Sequence, residues 1–349
     1  MIVLNEIDPY LCPAGASVRQ ALARLNTTEH LFQVVVDEDQ RVVGTVTDGD
    51  IRRALLANAG LDGPISACFR ADPILGALDD RSGNVVKLQG LSGHSAFIPV
   101  VDKAGVVSEI LVGRRDRAGI STALVMAGGP GKRLGGRTRK TPKPLLPVGD
   151  RPILDHVLSA LEEIGVANIF VSVHHMADQI RDYVGARDNH AIVRTLNEKA
   201  PLGTVGALAS LPKPLTDAVM VVNGDVITRV NFDAMMVFHE RHGHDATLCV
   251  AKHEVEVPFG VIKQTQDGVF QGIDEKPTIE HFIAAGIYYL SPAVCALVPG
   301  DRPMDMPELL NLSRGVGLKI GLFPIYEYWK DVGRPDDLES ARRDHKKVS

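Results

Sequence analysis

The sequence predicts an α/β protein in which a small α/β module precedes a larger one built on a mixed, mainly parallel sheet sandwiched by helices. Two observations carry this. From about residue 122 to 222, short apolar runs alternate with amphipathic stretches, the rhythm of a parallel sheet covered on both faces. Before that, a different and shorter plan of paired strands is written twice, and a stretch rich in Gly, Arg and Asp at 113–121 marks the joint. The expected division is therefore 1–117 and 118–349.

Composition narrows the function classes. A length of 349 residues suits about two domains, and 38 basic against 43 acidic residues leave a net charge of -5. Neither a nucleic-acid binder nor a membrane-surface protein is expected from that balance. The start, Met-Ile-Val-Leu-Asn-Glu-Ile-Asp, lacks a basic leader, and no run is apolar enough to span a bilayer, so a cytoplasmic protein is expected. Cys12, Cys68, Cys249 and Cys295 lie far apart without CxxC spacing, which fits reduced packing thiols.

In the N-terminal part, Val18, Leu22 and Leu25 give a helix, followed by strands over 33–36 and 42–47 and a helix over 50–56. Strands over 97–101 and 106–112 repeat part of that plan. The short strand pairs and the run Gly-x-Val-Thr-x-Gly-Asp ending at Asp50 resemble a tandem cystathionine-beta-synthase (CBS) domain pair, modules that often bind adenine nucleotides. The resemblance makes Thr47 and Asp50 candidate contacts to a nucleotide's ribose and phosphate region. In the second half Leu111 and Arg114 replace them, so at most one complete pocket is implied. A cap role for Asp50 at the start of the helix over 51–56 accounts for that residue without a ligand.

The C-terminal part opens on a strand, Leu124 to Ala127, that runs into Gly128, Gly129 and Gly131 among Lys132, Arg133, Arg137 and Arg139. Glycines let backbone N–H groups crowd an anion while cationic side chains neutralise it, so a polyphosphate is the simplest ligand. Arg137 stands where a Walker A lysine belongs, and prolines at 142, 144 and 147 forbid the long helix both Walker A and the dinucleotide fingerprint require. Next come a helix from Pro152 to before Gly165, a strand over 169–173, a helix over 176–184, a strand over 191–195, a helix over 204–211 and a strand over 218–222. Strands over 247–250, 260–263, 269–272 and 283–290 follow and read as an acceptor-binding half. His239, His242 and His244 fall at the polar end of a helix closed by Gly243, where histidines favour the dipole rather than a metal.

Gly-Gly-x-Gly-x-Arg-Leu from Gly128, then Pro-Lys-Pro-Leu-Leu-Pro-Val from Pro142, closely resembles the signature of the sugar-1-phosphate nucleotidyltransferases. The resemblance covers 123 to about 338 through five motifs in family order. It implies a Rossmann-like, glycosyltransferase-A-like sheet and Mg2+-dependent transfer of a nucleotidyl group from an NTP to a sugar 1-phosphate. Arg133 and Lys143 would offset charge on the phosphates, and Asp225, at the end of a strand in Asn-Gly-Asp, would share the metal with Asp331 of Trp-Lys-Asp-Val-Gly. Ala127, Gly128, Gly129 and Gly131, with Glu198, Leu202, Gly203 and Thr204, would bind the nucleotide. Gly260, Glu275 and Lys276 would form the sugar-phosphate site.

Glu198 stands where thymidylyl and uridylyl members usually carry glutamine. A carboxylate only accepts hydrogen bonds, and guanine offers adjacent N1–H and N2–H donors, so GTP is favoured. Mannose, glucosamine and heptose 1-phosphates remain open as acceptors. A uridylyl- or thymidylyltransferase is the nearest alternative, and a non-catalytic sensor of nucleotide or nucleotide-sugar is the alternative of another class. CBS pairs commonly associate, so a homo-oligomer is expected.

Overall fold

In a computed structural model, the structure describes residues 1–91, 96–113 and 120–348. The expected linker at 113–121, its boundary at 117/118 and Arg114 lie largely or wholly outside the described residues. The N-terminal elements are β1 (Ile2–Leu4), β2 (Leu11–Pro13), α1 (Val18–Leu25), β3 (Phe32–Val36), β4 (Val42–Thr47), α2 (Asp48–Leu56), β5 (Gly76–Ala77), α3 (Arg81–Gly90), β6 (Phe97–Val101) and β7 (Val107–Val112). From residue 120 they continue as β8 (Thr122–Met126), β9 (Pro147–Val148), β10 (Arg151–Pro152), α4 (Ile153–Glu163), β11 (Asn168–Val173), α5 (Ala177–Ala186), β12 (Ile192–Asn197), β13 (Val219–Asn223) and β14 (Val226–Thr228). The remainder is α6 (Phe232–His242), β15 (Ala246–Glu256), β16 (Val261–Gln264), β17 (Phe270–Asp274), β18 (Thr278–Leu290), α7 (Pro292–Cys295), α8 (Met306–Gly315), β19 (Ile320–Ile325), β20 (Trp329–Asp331) and α9 (Pro335–Val348).

Two compact units result. The first is Met1–Gly119 with Asn231–Asp245, so it includes α6; the second is Ile120–Val230 with Ala246–Ser349.

Within the first unit the repeated plan is visible in the pairing. β2 runs parallel to β3 and β3 antiparallel to β4, just as β5 runs parallel to β6 and β6 antiparallel to β7. Both hairpins carry a register shift at the matching point, between Val35 and Val36 and between Val100 and Val101. Buried Phe32, Val34, Val107 and Ile110 belong to one apolar core. The cap of α2 differs from the expected one. Thr47 is the N-cap and Asp50 lies three residues on, each side chain meeting the other's backbone: Asp50 N–H donates to Thr47 Oγ1 at 3.2 Å and Thr47 N–H donates to Asp50 Oδ2 at 2.9 Å. This reciprocal box satisfies two otherwise orphaned donors, so the helix starts at Asp48 rather than after Asp50.

The second unit is organised by a seven-stranded sheet in the order β12-β11-β8-β13-β18-β15-β19. β12, β11, β8 and β13 are mutually parallel; β18 is antiparallel to both β13 and β15, and β19 is parallel to β15. Leu124, Val221 and Leu290 lie in its core with Val205, Leu208 and Leu309. The helix expected over 204–211 is instead a 3-10 turn, Gly206–Ser210. Leu211 precedes Pro212 and is held extended (φ -65°, ψ 147°), which stops propagation after five residues. β15 and β18 extend well beyond the expected 247–250 and 283–290, because their outer halves pair with one another beyond the core.

Helices α4 and α5 are joined by an ionic cluster. Arg187, just past α5, donates to Asp155 at 2.6 Å and to Glu162 at 2.8 Å, and Tyr183 donates to Asp155 at 3.0 Å, with the three charged side chains no more than 10% exposed. Burial, the largest single influence, would raise both carboxyl pKa values, but the hydrogen bonds and charge of Arg187, joined by Tyr183 and Arg151 at Asp155 and by the backbone N–H groups of His190 and Ala191 at Glu162, together outweigh it and hold them below the ordinary range; burial and Asp155 push the Tyr183 phenol up to about 12. Depressed carboxyl pKa values stabilise the fold above the ordinary carboxylate range, and that contribution disappears as pH falls through the lowered values. Arg187→Met leaves buried Glu162 without the cation it pairs with and leaves Asp155 with Arg151 alone, at 3.2 Å, and is expected to cost about 3–5 kcal/mol at pH 7 in denaturant unfolding. The gap from the native chain should narrow on acidification; a gap that stays constant down to pH 3 would contradict this account.

Candidate active site

Parallel strands of an open α/β sheet place their ligands beyond their carboxyl ends. There β8 ends at Met126 and β13 at Asn223, paired in register. Gly224 N–H donates to the Met126 carbonyl at 2.9 Å, and a Cβ on residue 224 would stand 2.9 Å from that same oxygen. Only glycine allows this approach, and it sets Asp225 at the strand end. β14 then pairs with β20 so that Val226 faces Asp331, and Val332 N–H donates to the Asp225 carbonyl at 3.0 Å. Two aspartates more than a hundred residues apart are thereby held side by side.

Lys143 lies against this pair. It is 7% exposed, hydrogen-bonded and ion-paired to Asp225 Oδ2, and its Nζ is 3.6 Å from Asp331 Oδ1. The prolines around it, together with the 3-10 turn Lys143–Leu145, hold its backbone while Gly131, at φ +61°, packs where a Cβ would meet the Lys143 Cβ at 3.0 Å. Arg133, in the 3-10 segment Lys132–Thr138, extends an exposed guanidinium against Gly333 beside Asp331. Burial and the neighbouring Asp225 raise the Asp331 pKa, with Lys143 and Arg133 opposing.

Two oxygens, Asp225 Oδ1 and Asp331 Oδ1, are buried without a hydrogen-bond partner. Orphaned carboxylate oxygens at a phosphate loop fit a hard divalent cation, which takes one or two carboxylates and completes its shell with phosphate and water oxygens. Among the described residues, no group of three or more His, Cys, Asp and Glu is placed to hold a metal. His239 does not serve the helix dipole as expected: it is buried, and burial lowers its pKa to about 4, leaving the ring neutral.

Of the residues expected on the nucleotide side, Gly128 and Leu202 lie against Glu198. Its Oε1 accepts from Ser172 Oγ–H and its Oε2 from Leu202 N–H at 3.0 Å, and Oε1 is 3.2 Å from where a Cβ on Gly128 would stand. Ala127 N–H donates to the Ser172 carbonyl at 2.9 Å, while Gly129 faces open space. Thr204 N–H donates to Asp305 Oδ1 and Thr204 Oγ1 accepts from Met306 N–H, both at 2.8 Å, which fixes the Leu202-Gly203-Thr204 loop to the start of α8. Among the residues expected to form the sugar-phosphate site, Glu275 Oε2 lies 3.0 Å from where a Cβ on Gly260 would stand, and Lys276 is exposed with φ +45°.

Sequence reasoning missed Ser172, His174 and Asp305 as supports. His174 Nδ1 is 3.0 Å from the Glu198 carbonyl. Ser172 had a legible signal, since it is the one polar residue in the apolar run Ile-Phe-Val-Ser-Val and is fully buried. Asp305 had none, because nothing local ties it to a loop a hundred residues earlier.

The "Nucleotidyl transferase" family model matches residues 122–348, and the "CBS domain" model matches residues 4–57. The chain is 32% identical over 239 residues to a mannose-1-phosphate guanyltransferase beta-A of Xenopus laevis, a match covering 64% of this chain and 66% of that protein's length. Among solved structures, HddC from Yersinia pseudotuberculosis is 25% identical with a TM-score of 0.51, covering 65% of this chain and all of the other. A putative glucose-1-phosphate thymidylyltransferase from Bacillus anthracis, 21% identical over 65% of this chain and 96% of its own with a TM-score of 0.53, shares the fold. The aspartate pair, the lysine between them and the glycine loop thus stand in a chain that belongs to the nucleotidyl transferase family and carries an N-terminal CBS domain.

Proposed function

We propose that this chain transfers a nucleotidyl group, from GTP in preference to other NTPs, to a sugar 1-phosphate, releasing pyrophosphate. The carrying observation is Lys143 set against Asp225 and Asp331, with one buried oxygen on each aspartate that has no hydrogen-bond partner among the described residues, beside the glycine loop. In this reading residues 118–349 supply the chemistry and 1–117 supply none of its reacting groups.

The reaction forms one bond, from a sugar-phosphate oxygen to the α-phosphorus, and breaks the bond from that phosphorus to the β-bridging oxygen, whose electrons leave with pyrophosphate. The nucleophile is already ionised at neutral pH, so no general base is required. What the site must offset is repulsion between converging anions. Mg2+ held by Asp225 and Asp331 would supply charge neutralisation at the phosphate oxygens. Lys143 is placed to meet the α-phosphate or the incoming phosphate, Arg133 to meet the triphosphate, and backbone N–H groups of the 128–131 loop to line the phosphate path. Gly260 with Glu275 would receive sugar hydroxyls, and Lys276 the sugar phosphate.

The base preference rests on counting lone pairs at Glu198. A carboxylate offers about four acceptor positions; Ser172 and Leu202 use one on each oxygen, leaving one on each. Guanine presents two adjacent donors, matching that remainder. The corresponding edge of uracil or thymine sets a single N–H between two carbonyls, which the carboxylate repels. The guanyltransferase name of the relative in Xenopus laevis agrees with this choice.

Pyrophosphate release with Mg2+, crossing five NTPs against mannose, glucosamine and heptose 1-phosphates, should show turnover with GTP and one acceptor. Silence across the panel with tight nucleotide binding would replace catalysis by sensing. Lys143→Ala and Asp225→Ala are each expected to lower kcat by about a hundredfold or more, the size seen when a preorganised charge stabiliser is lost; near-normal turnover in either would sink the assignment. Glu198→Gln should reduce the GTP-over-UTP ratio of kcat/KM by about ten- to a hundredfold, the weight of hydrogen bonds to a charged acceptor. An unchanged ratio would remove Glu198 from base choice.

A further inference from the structure

The corner formed by Thr47 and Asp50 has almost no hydrogen-bonding capacity left. Thr47 is 7% exposed and uses its hydroxyl three ways: Oγ1–H donates to Asp50 Oδ2 at 2.6 Å, and Oγ1 accepts from Asp50 N–H at 3.2 Å and from Nη1 of Arg241 at 3.0 Å. One donor and two acceptors are all a hydroxyl has. Asp50 Oδ2 also accepts from Thr47 N–H, and Asp50 Oδ1 is ion-paired with Arg53. Arg241 belongs to α6, which is part of the same compact unit.

A second bond runs parallel to the first. Arg53 Nη1 lies 2.7 Å from His242 Nε2, and His242 Nδ1 lies 2.7 Å from the Phe238 carbonyl. A ring nitrogen facing a carbonyl must carry the proton, so Nε2 accepts and Arg53 donates. Arg53 thus ties Asp50 to the last turn of α6. The space left among Thr47, Asp48, Phe238 and Arg241 is about 10 Å³, room for no more than about one water. Although Arg241 is exposed as a whole, desolvation lowers its pKa against the pull of Asp50.

We propose that this corner is a seat for the chain's own helix rather than a pocket for an adenine nucleotide: Arg241 is its resident ligand, and Thr47, Asp50 and Arg53 together grip the last turn of α6. The inference is independent of the reaction proposed above. It gives the N-terminal module a specific hold on a helix that the chain supplies between β14 and β15.

The test is a double-mutant cycle in the full-length protein, Thr47→Val against Arg241→Met, read by hydrogen exchange at the backbone amides of 238–242. Each single replacement is expected to speed exchange about tenfold, the weight of a hydrogen bond to a charged group. The double replacement should add little beyond either single, and Thr47→Ser, which keeps the hydroxyl, should exchange like the native chain. Effects that multiply in the double variant, or unchanged exchange in Arg241→Met, would overturn the seat. Millimolar AMP should leave the Tm of the native chain where it is; a rise in Tm that Thr47→Val abolishes would restore the nucleotide pocket and end the proposal.

Discussion

Two carboxylates brought together at a strand end repel one another, and the second unit is built to hold them there. Asp225 and Asp331 come from distant parts of the chain, and the short ribbon of β14 and β20, with the bond from Val332 N–H to the Asp225 carbonyl, keeps them adjacent. Lys143 supplies the countercharge, buried at 7% exposure among prolines that leave its backbone little freedom. The arrangement is balanced without being complete. One oxygen on each aspartate has no hydrogen-bond partner among the described residues, and burial with like charge raises the Asp331 pKa. A partly buried charge cluster with carboxylate oxygens that accept no hydrogen bond is poor at stabilising a fold and well suited to receiving cations and phosphates.

The nucleotide side follows the same economy of contacts. Ser172 on β11 and the Leu202 N–H orient Glu198 from two directions, and Asp305 fastens the next turn of chain to α8. The carboxylate is therefore aimed by the scaffold itself, as the proposed contact to a base would require. Preorganisation of this kind limits what ordering must cost on binding, so selectivity can rest on few contacts.

The sheet, and the coming together of Lys143, Asp225 and the glycine loop, were legible in the sequence because each is locally encoded. Apolar runs of strand length ended at glycine and aspartate, and Gly-Gly-x-Gly-x-Arg-Leu with Pro-Lys-Pro-Leu carried both the turn chemistry and the cations. What the sequence hid depends on long-range closure. Nothing near residue 305 announces that it pins Thr204, and the helix pattern over 204–211 lost to Pro212, whose effect on Leu211 cut it to one 3-10 turn. At Asp50 the reading of a cap was right in kind and wrong in position, because Thr47-Asp48-Gly49-Asp50 is a capping box whose first member begins the helix. The placement of α6 with the N-terminal unit was invisible, since its sequence neighbours on both sides belong to the other unit.

Counting unused lone pairs separates three corners that motif resemblance treats alike. At Asp225 and Asp331, one buried oxygen on each has no hydrogen-bond partner among the described residues, so a ligand gains from entering. At Glu198 half of the acceptor capacity is spent on orientation and half remains, so the residue can be both rigid and selective. At Thr47 the hydroxyl is fully used, and any external ligand must first break a bond that the chain already makes with Arg241. The displaced groups would be a threonine hydroxyl, a carboxylate and a guanidinium, each costly to leave unpaired in a space that admits no more than about one water. The same Thr-x-x-Asp spacing can thus serve as a pocket or as a joint, and which of the two it becomes is decided by what else in the fold arrives to use the last acceptor.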